Sequence, residues 1–322
     1  MKKPVIIILA IFLLLALMAW MLRDLFMVNP ALQKNPYDYG MKEVRKADSL
    51  PAYTEIVPLK PLLKEITSIA CSKDGKVFIA GKGGVEIFDP SGRVLKMFSI
   101  PGYATCMALM PDGNLAIGME DHIEIWTPSG TIISAWEAVD TASVITSVVA
   151  TQSSVFAADA GKKIVYRYDH QGKLEAKIGE KDPVRKVPGF IIPSPFFDVG
   201  ISPSGDLWIA NTGRYRLEKY SMDGAFLSCW GEASFALEGF AGCCNPTHFA
   251  FLEDGSFVTS EKGIERVKVY SPTGKFVALV AGAEAFDEGT RGLDLAAGPN
   301  GRILVLDPSR NLVRIFLPKE KR

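Results

Sequence analysis

The sequence predicts an all-β body, a six-bladed β-propeller, preceded by a single N-terminal transmembrane helix. Three observations carry this expectation. A turn centred on glycine, or on serine in one copy, recurs at steps of 38 to 52 residues to give six copies, a second turn follows 17 to 19 residues behind five of them, and the chain ends one strand short of completing its last unit.

Composition admits such a fold and excludes others. The 322 residues carry 36 Lys+Arg against 36 Asp+Glu, with 48% hydrophobic residues, 29 Gly and 20 Pro. At roughly 100 to 200 residues per domain this is one large domain or two ordinary ones, with ample apolar material for a core. Intrinsic disorder, collagen and disulfide-knot scaffolds are excluded. Zero formal net charge and the lack of a basic block leave nothing to neutralise a phosphate backbone, so no nucleic-acid partner is expected.

Residues 4–22, PVIIILAIFLLLALMAWML, run 19 residues without a charge, close to the ~20 that a bilayer core of roughly 30 Å requires of a helix. Residues 1–23 are therefore read as an uncleaved signal anchor. The alternative, a cleaved signal peptide, would show a shorter apolar run and a small-x-small site, whereas here Ala16 and Ala19 are followed by Trp20, a residue of the membrane interface. Lys2 and Lys3 precede the span and Arg23 is followed at once by Asp24, so the positive-inside rule keeps the N-terminus in the cytoplasm and exports the rest, into the periplasm if the cell is bacterial. No Cys stands near the end of the span, which argues against lipid attachment there. Residues 24–52 mix charge with Asn-Pro pairs and lack periodicity, as a stalk does; Tyr37 and Tyr39 would lie against the body or the bilayer surface, or else anchor a membrane partner.

The repeats follow. CSKDGKVFIA at Cys71 recurs as MPDGNLAIG, SPSGDLWIA, LEDGSFVTS and GPNGRILVL, with a weaker copy TQSSVFAAD at Thr151. With Gly75, Gly113, Ser153, Gly205, Gly255 and Gly301 as equivalents, the steps are 38, 40, 52, 50 and 46 residues. The second turns, ending at Gly92, Gly130, Gly172, Gly224 and Gly274, keep a nearly constant separation from the first, so the unit is uniform and the insertions lie between units. Asp-Gly and Pro-x-Gly turns between short β-branched and aromatic runs are hairpin chemistry. In the first unit those runs are residues 66–70, 77–80, 85–88 and 94–98, and four antiparallel strands per ~40 to 50 residues make a propeller blade. After LVRIF at 312–316 too little chain remains for a fourth strand; YTEIVPL at 53–59 is expected to supply it, pairing the two ends of the body and removing open edges. The propeller is thus expected over residues 53–322.

IANTGRYRLEKYSMDG from Ile209, VLDPSRNLVRIF from Val305 and, more weakly, AADAGKKIVYRY from Ala157 resemble the NHL repeat, in which an Asp or Asn, a glycine-containing turn and an Arg before the next strand recur. The resemblance spans residues 53–316, although AGKGGVEIF and GMEDHIEIW in the first two units lack the Arg. It implies a six-bladed propeller of the membrane-anchored bacterial type. The family includes ligand-binding modules, sensors and a few metal-dependent enzymes, so function must be argued from the site.

In a propeller, loops between blades and loops joining second to third strands emerge at one mouth of the central channel. The long inter-blade loops, residues 178–196, 231–246 and 281–291, all belong to the second half of the ring and point to a functional face over blades 3 to 6, unless loop length has merely drifted. GCCNPTHFA at 242–250 lies in one of them. Cys243 and Cys244 could close a vicinal disulfide, hold a soft metal, pair with Cys229, or be purely structural. Cys71 and Cys106 are expected as unpaired core residues. With Asn245 and His248, Cys243 and Cys244 make the first candidate binding set, and Arg214, Tyr215, Lys262 and Arg310 in the second-to-third-strand loops make a polar mouth suited to an anionic ligand or partner.

Only His122, His170 and His248 exist, and their places in the repeats forbid a three-His zinc centre; nor is there a nucleophile elbow, a haem motif or a phosphate loop. A lactonase-like propeller would hold a divalent metal with residues such as Asp159, Asn211, Glu261 and Asp307, which fall at equivalent places after the second strands. The same position can instead tie down its own loop through side-chain to backbone bonds. The leading functional expectation is a membrane-tethered, non-catalytic binding or scaffold subunit, an accessory of a membrane redox or transport complex with a protein partner. The alternative is a metal-dependent hydrolase or lyase at the channel mouth.

Overall fold

The repeated turns fold as their chemistry dictates. In the first unit the Ser72 N–H donates to the Lys76 carbonyl and the Gly75 N–H to the Ser72 carbonyl, both at 2.9 Å. Gly75 adopts φ +81 and Gly92, in the second turn, φ +86, a left-handed conformation that a side chain disfavours. The computed structural model describes residues 11–18, 20, 51–184, 187 and 189–319.

Two compact units, Met1–Val44 and Arg45–Arg322, divide the chain. In the first, residues 11–18 and Trp20 are helical. Among the described residues no helix is long and apolar enough to cross a membrane; the remainder of the apolar run 4–22, and the stalk as far as residue 50, lie outside them.

The second unit is a ring of six antiparallel blades. From the innermost strand outward, blade 2 is Cys106–Leu109, Leu115–Met119, His122–Trp126 and Ile132–Ala135, and blade 3 is Ile145–Ala150, Val155–Asp159, Ile164–Tyr168 and Leu174–Ile178. Blade 4 is Val199–Ile201, Leu207–Asn211, Arg216–Tyr220 and Phe226–Trp230; blade 5 is His248–Phe251, Phe257–Ser260, Val267–Tyr270 and Phe276–Ala281. Blade 6 is Leu295–Ala297, Ile303–Asp307 and Leu312–Pro318, completed by Tyr53–Leu59 from the start of the body. That closing strand pairs Tyr53 with Pro318, Ile56 with Ile315 and Leu59 with Val313.

Blade 1 has the four runs the sequence predicts, with the second and third joined by a turn so tight that the strand continues through it. The runs 77–80 and 85–88 belong to one continuous element, Val77–Phe88, whose first part pairs with Ile66–Cys71 and whose second part pairs with Val94–Tyr103. The chain reverses at the exposed Lys82 and Gly83, with Gly83 at φ +76, and the hairpin brings Pro90 back beside Gly75.

The core is divided among the six interfaces between neighbouring blades. Phe78, Ile87, Met107 and Ile117 fill the space between blades 1 and 2, and Trp208, Phe249, Phe257 and Tyr270 that between blades 4 and 5. The interface between blades 6 and 1 is as apolar as the rest, with Ile69, Ile79, Leu304 and Ile315 in one cluster, so hydrophobic burial itself closes the ring.

Candidate functional site

The long-loop mouth is built on a repeated device. The residue at the end of each second strand in blades 3 and 4, or just past it in blade 5, turns back into the blade and accepts a backbone N–H of the loop that precedes that blade. Asp159 accepts from Val144 N at 2.9 Å, Asn211 from Ile191 N at 2.9 Å and Glu261 from Ala241 N at 2.6 Å. In blade 6 Asp307 accepts from Arg310 N at 3.3 Å, within its own second-to-third-strand loop. All four are buried. Glu261 also forms an ion pair with the fully buried Lys268 at 2.6 Å. Burial pushes the carboxyls of Glu261 and Asp307 up, against the pull of Lys268 in the first case and of the Arg310 backbone and Arg314 in the second. The four candidate metal ligands therefore serve four separate blades, and among the described residues no group of three or more His, Cys, Asp or Glu is placed to hold a metal ion.

Five of the expected binding residues do come together. Asn245, fully buried, donates through Nδ2 to the carbonyls of Ala241 and Lys262 and accepts the Lys262 N–H at 3.0 Å. It thereby fastens the Cys243–Cys244 loop to the second-to-third-strand loop of blade 5. Cys243 is exposed and Cys244 buried; both are free thiols, with their sulfurs 2.9 Å apart. The Lys262 ammonium lies 5.7 Å above the Phe196 ring, which meets His248 edge-on at 5.9 Å. Lys262, Phe196 and His248 thus form a continuous path from the rim to the channel.

Arg214, Tyr215 and Arg310 stand apart from this group. Tyr215 sits at φ +57 at the end of the turn after Asn211, packed against the apolar interface of blades 4 and 5. The Arg214 Nε is buried there without a hydrogen-bond partner. Arg310 is exposed and reaches Asp287 at 2.7 Å and the Ala285 carbonyl at 3.0 Å, holding the last long loop.

The channel carries a ring that the sequence reading did not identify. Seven residues before the turn glycine, or six before Ser153 in blade 3, each innermost strand or its entry contributes one side chain: Ser68, Cys106, Ser147, Asp198, His248 and Asp294. They line a cavity of about 250 Å³. Asp198 accepts from Ser147 Oγ at 2.5 Å, Val199 N at 2.9 Å and Phe249 N at 2.7 Å. Asp294 accepts from Ser68 Oγ at 3.0 Å, Ile69 N at 2.9 Å and Leu295 N at 2.8 Å. His248 Nδ1 faces both carboxylates, 3.5 Å from Asp294 and 3.9 Å from Asp198. Burial pushes the Asp198 carboxyl up to about 6, opposed by His248 and reinforced by Asp294. Cys106 is thus a channel residue as well as a core residue, with burial raising its thiol to about 12. The residue just before this position staples neighbouring blades: the Thr67 hydroxyl donates to the Ala104 carbonyl at 2.7 Å, Thr105 to Ile145 at 2.5 Å and Thr146 to Phe197 at 2.7 Å.

At the opposite mouth the turns of blades 1 to 4 surround a larger cavity of about 1390 Å³, with Phe78, Leu95, Met110 and Met222 among its apolar lining and Lys73, Lys76 and Lys96 among its charges. Cys71, half-buried and free, packs against the core between blades 6 and 1 and also borders this cavity. Loop length gave no sign of it, because its walls are the short repeated turns.

No protein-family model matches the sequence, and no curated protein matches it. Solved structures share the fold. The WD40 β-propeller domain of Doa1 is 13% identical over 83% of this chain and 98% of its own, with a TM-score of 0.59. A streptogramin B lyase is 12% identical over 84% and 88% with a TM-score of 0.55. Virginiamycin B lyase from Staphylococcus aureus is 14% identical over 84% and 90%, also at 0.55. At these identities the likeness is one of fold.

Proposed function

We propose that this chain is a membrane-tethered propeller of NHL type whose exported body binds a protein partner through its long-loop mouth, without catalysing a reaction, as an accessory of a membrane redox or transport complex. The observation that carries this reading is the pinning of the long loops. Asn211, Glu261 and Asn245 bond their backbones, and Arg310 bonds the last of them through Asp287 and Ala285, so the mouth is a preformed surface of unrepeated side chains on a rigid ring. The larger cavity opposite is walled by turns that every blade needs in order to fold, which makes it the weaker candidate. The anchor rests on the apolar run at 4–22.

A photoreactive residue at the exposed loop positions Glu238 or Glu288 of the full chain in its native membrane tests this reading. It should yield one crosslinked product of discrete size, while the same residue at Leu227 or Val277, exposed on outer strands, should not. Equal labelling from all four positions would remove the argument for the mouth.

The channel favours a second reading, a hydrolase or lyase. Asp198, His248 and Asp294 face one another beside a mostly polar cavity in the channel, an arrangement able to move a proton. Propellers of the same fold include the two lyases named above, one of which has a catalytically inactive histidine-to-alanine variant. Turnover of a small-molecule substrate that is lost in His248→Ala would favour it.

A further inference from the structure

We propose that Cys243 and Cys244 form a dithiol site for thiol–disulfide exchange, taking a disulfide as substrate and closing to a vicinal disulfide. The inference deepens the binding-mouth reading by giving that mouth a chemistry, and rests on it only for the identity of a natural substrate.

The geometry carries it. Gly242 at φ +70 and Cys244 at φ +63 fold the chain tightly enough to bring adjacent side chains together, with the sulfurs 2.9 Å apart. Both ends of this short loop are fixed to blade 5: Ala241 N donates to Glu261 Oε2 at 2.6 Å, and Asn245 holds Lys262 through N–H and carbonyl, each at 3.0 Å. The thiols are therefore held together whether or not they are bonded, which gives each a high effective concentration toward the other.

Their exposures divide the roles. Cys243 is exposed and open to an incoming disulfide, whereas Cys244 is buried behind it. Burial and the neighbouring Cys243 sulfur raise the Cys244 thiol, while Ser194 and Lys262 act in the opposite direction. In the first step the Cys243 thiolate attacks one sulfur of R–S–S–R; a Cys243–S–S–R bond forms, the original S–S bond breaks, and the first thiolate leaves with the electron pair and takes a proton from solvent. In the second step Cys244 gives its proton to solvent and attacks the Cys243 sulfur; the second thiolate leaves and the Cys243–Cys244 ring closes. The two cysteines are oxidised by two electrons and one disulfide is reduced to two thiols.

The probe is glutathione disulfide, applied to the full chain in mild detergent with Cys229→Ser, which removes the other exposed thiol. After acid quench and alkylation, the peptide containing residues 242–245 should be two hydrogens lighter, free of glutathione and unlinked to any other peptide. Cys244→Ser should retain one glutathione on Cys243, because nothing resolves the mixed disulfide. Cys243→Ser should react at least about tenfold more slowly, since the remaining thiol is buried. A stable glutathione adduct on Cys243 in the parent chain, or both thiols still open to alkylation after oxidation, would overturn the proposal, as would release of glutathione by Cys244→Ser at the parent rate. The parent result stands without the variants should either fail to fold. No partner enters this assay, so its failure is distinct from failure of the crosslinking test.

Discussion

Arg314, in the last strand of the chain, grips Glu55, in the strand that opens the ring, by two points: Nε to Oε1 at 2.8 Å and Nη2 to Oε2 at 2.5 Å. The same guanidinium bonds the Ala285 carbonyl at 2.7 Å and lies 4.7 Å from the centre of the Phe286 ring. One buried arginine thus joins the closing strand to the last long loop, and the scaffold to the proposed binding mouth.

This contact predicts the behaviour of the closure. Glu55 is partly exposed, which moderates its contribution, so Glu55→Gln should cost about 1–2 kcal/mol in denaturant unfolding. Arg314→Met should add little to it in a double-mutant cycle, because the two share one interaction. Deletion through residue 61 should lower stability far more, since it strips the outer strand from blade 6. Additive effects of Glu55→Gln and Arg314→Met, or an unchanged melt after the deletion, would contradict closure by this strand.

A second prediction concerns the ion pair under the loop at 231–247. Lys268 and Glu261 are both fully buried, and Lys268 also donates to the Leu237 carbonyl at 3.1 Å and to that of Gly239. Lys268→Met leaves a buried carboxylate without its cation and should cost roughly 3–5 kcal/mol. Adding Glu261→Gln should recover part of the loss. A cost below about 1 kcal/mol for Lys268→Met would mean that water reaches the pair.

The channel predicts a pH dependence. The folded-state value for Asp198, about 6, lies above its ordinary 3.8. Between those values the unfolded chain releases the proton while the folded chain keeps it, so the Asp198 contribution to stability falls as pH rises from about 4 to about 6 and is flat on either side. Its slope approaches about 1.4 kcal/mol per pH unit at most. The groups facing it are His248, Asp294 and Ser147. Asp198→Asn loses hydrogen bonds and should be less stable at pH 7, but the difference between parent and variant should change through this window. A difference independent of pH between 4 and 6 would contradict the buried, proton-retaining Asp198.

The blades were legible because their turns obey local chemistry: Gly75, Gly113, Gly205 and Gly255 all take φ near +80 in the same hydrogen-bonded turn, Gly301 keeps the positive φ in a variant of it, and such turns mark the chain wherever they occur. The missing last strand was legible by counting. The channel ring was harder, because Ser68, Cys106, Ser147, Asp198, His248 and Asp294 share a position but no chemistry, and a search for motifs passes over a column that varies. Aligning the repeats by their turns and reading each column for polar residues would have found Asp198 and Asp294. The end-of-strand residues Asp159, Asn211, Glu261 and Asp307 showed their place in the sequence but not their direction. Whether such a side chain meets a metal or a backbone N–H depends on the path of the preceding loop, which insertions of irregular length do not disclose.

Hydrogen–deuterium exchange on the full chain in mild detergent, alone and with the partner isolated by crosslinking, tests the central claim most directly, because it reports which mouth is covered. The account predicts slowed exchange in residues 189–197, 231–247 and 282–294 on binding, with the turns at 72–76, 110–114, 151–154 and 202–206 unchanged. Protection confined to those turns, with the long loops exchanging as in the free chain, would contradict it and move the binding face to the larger cavity.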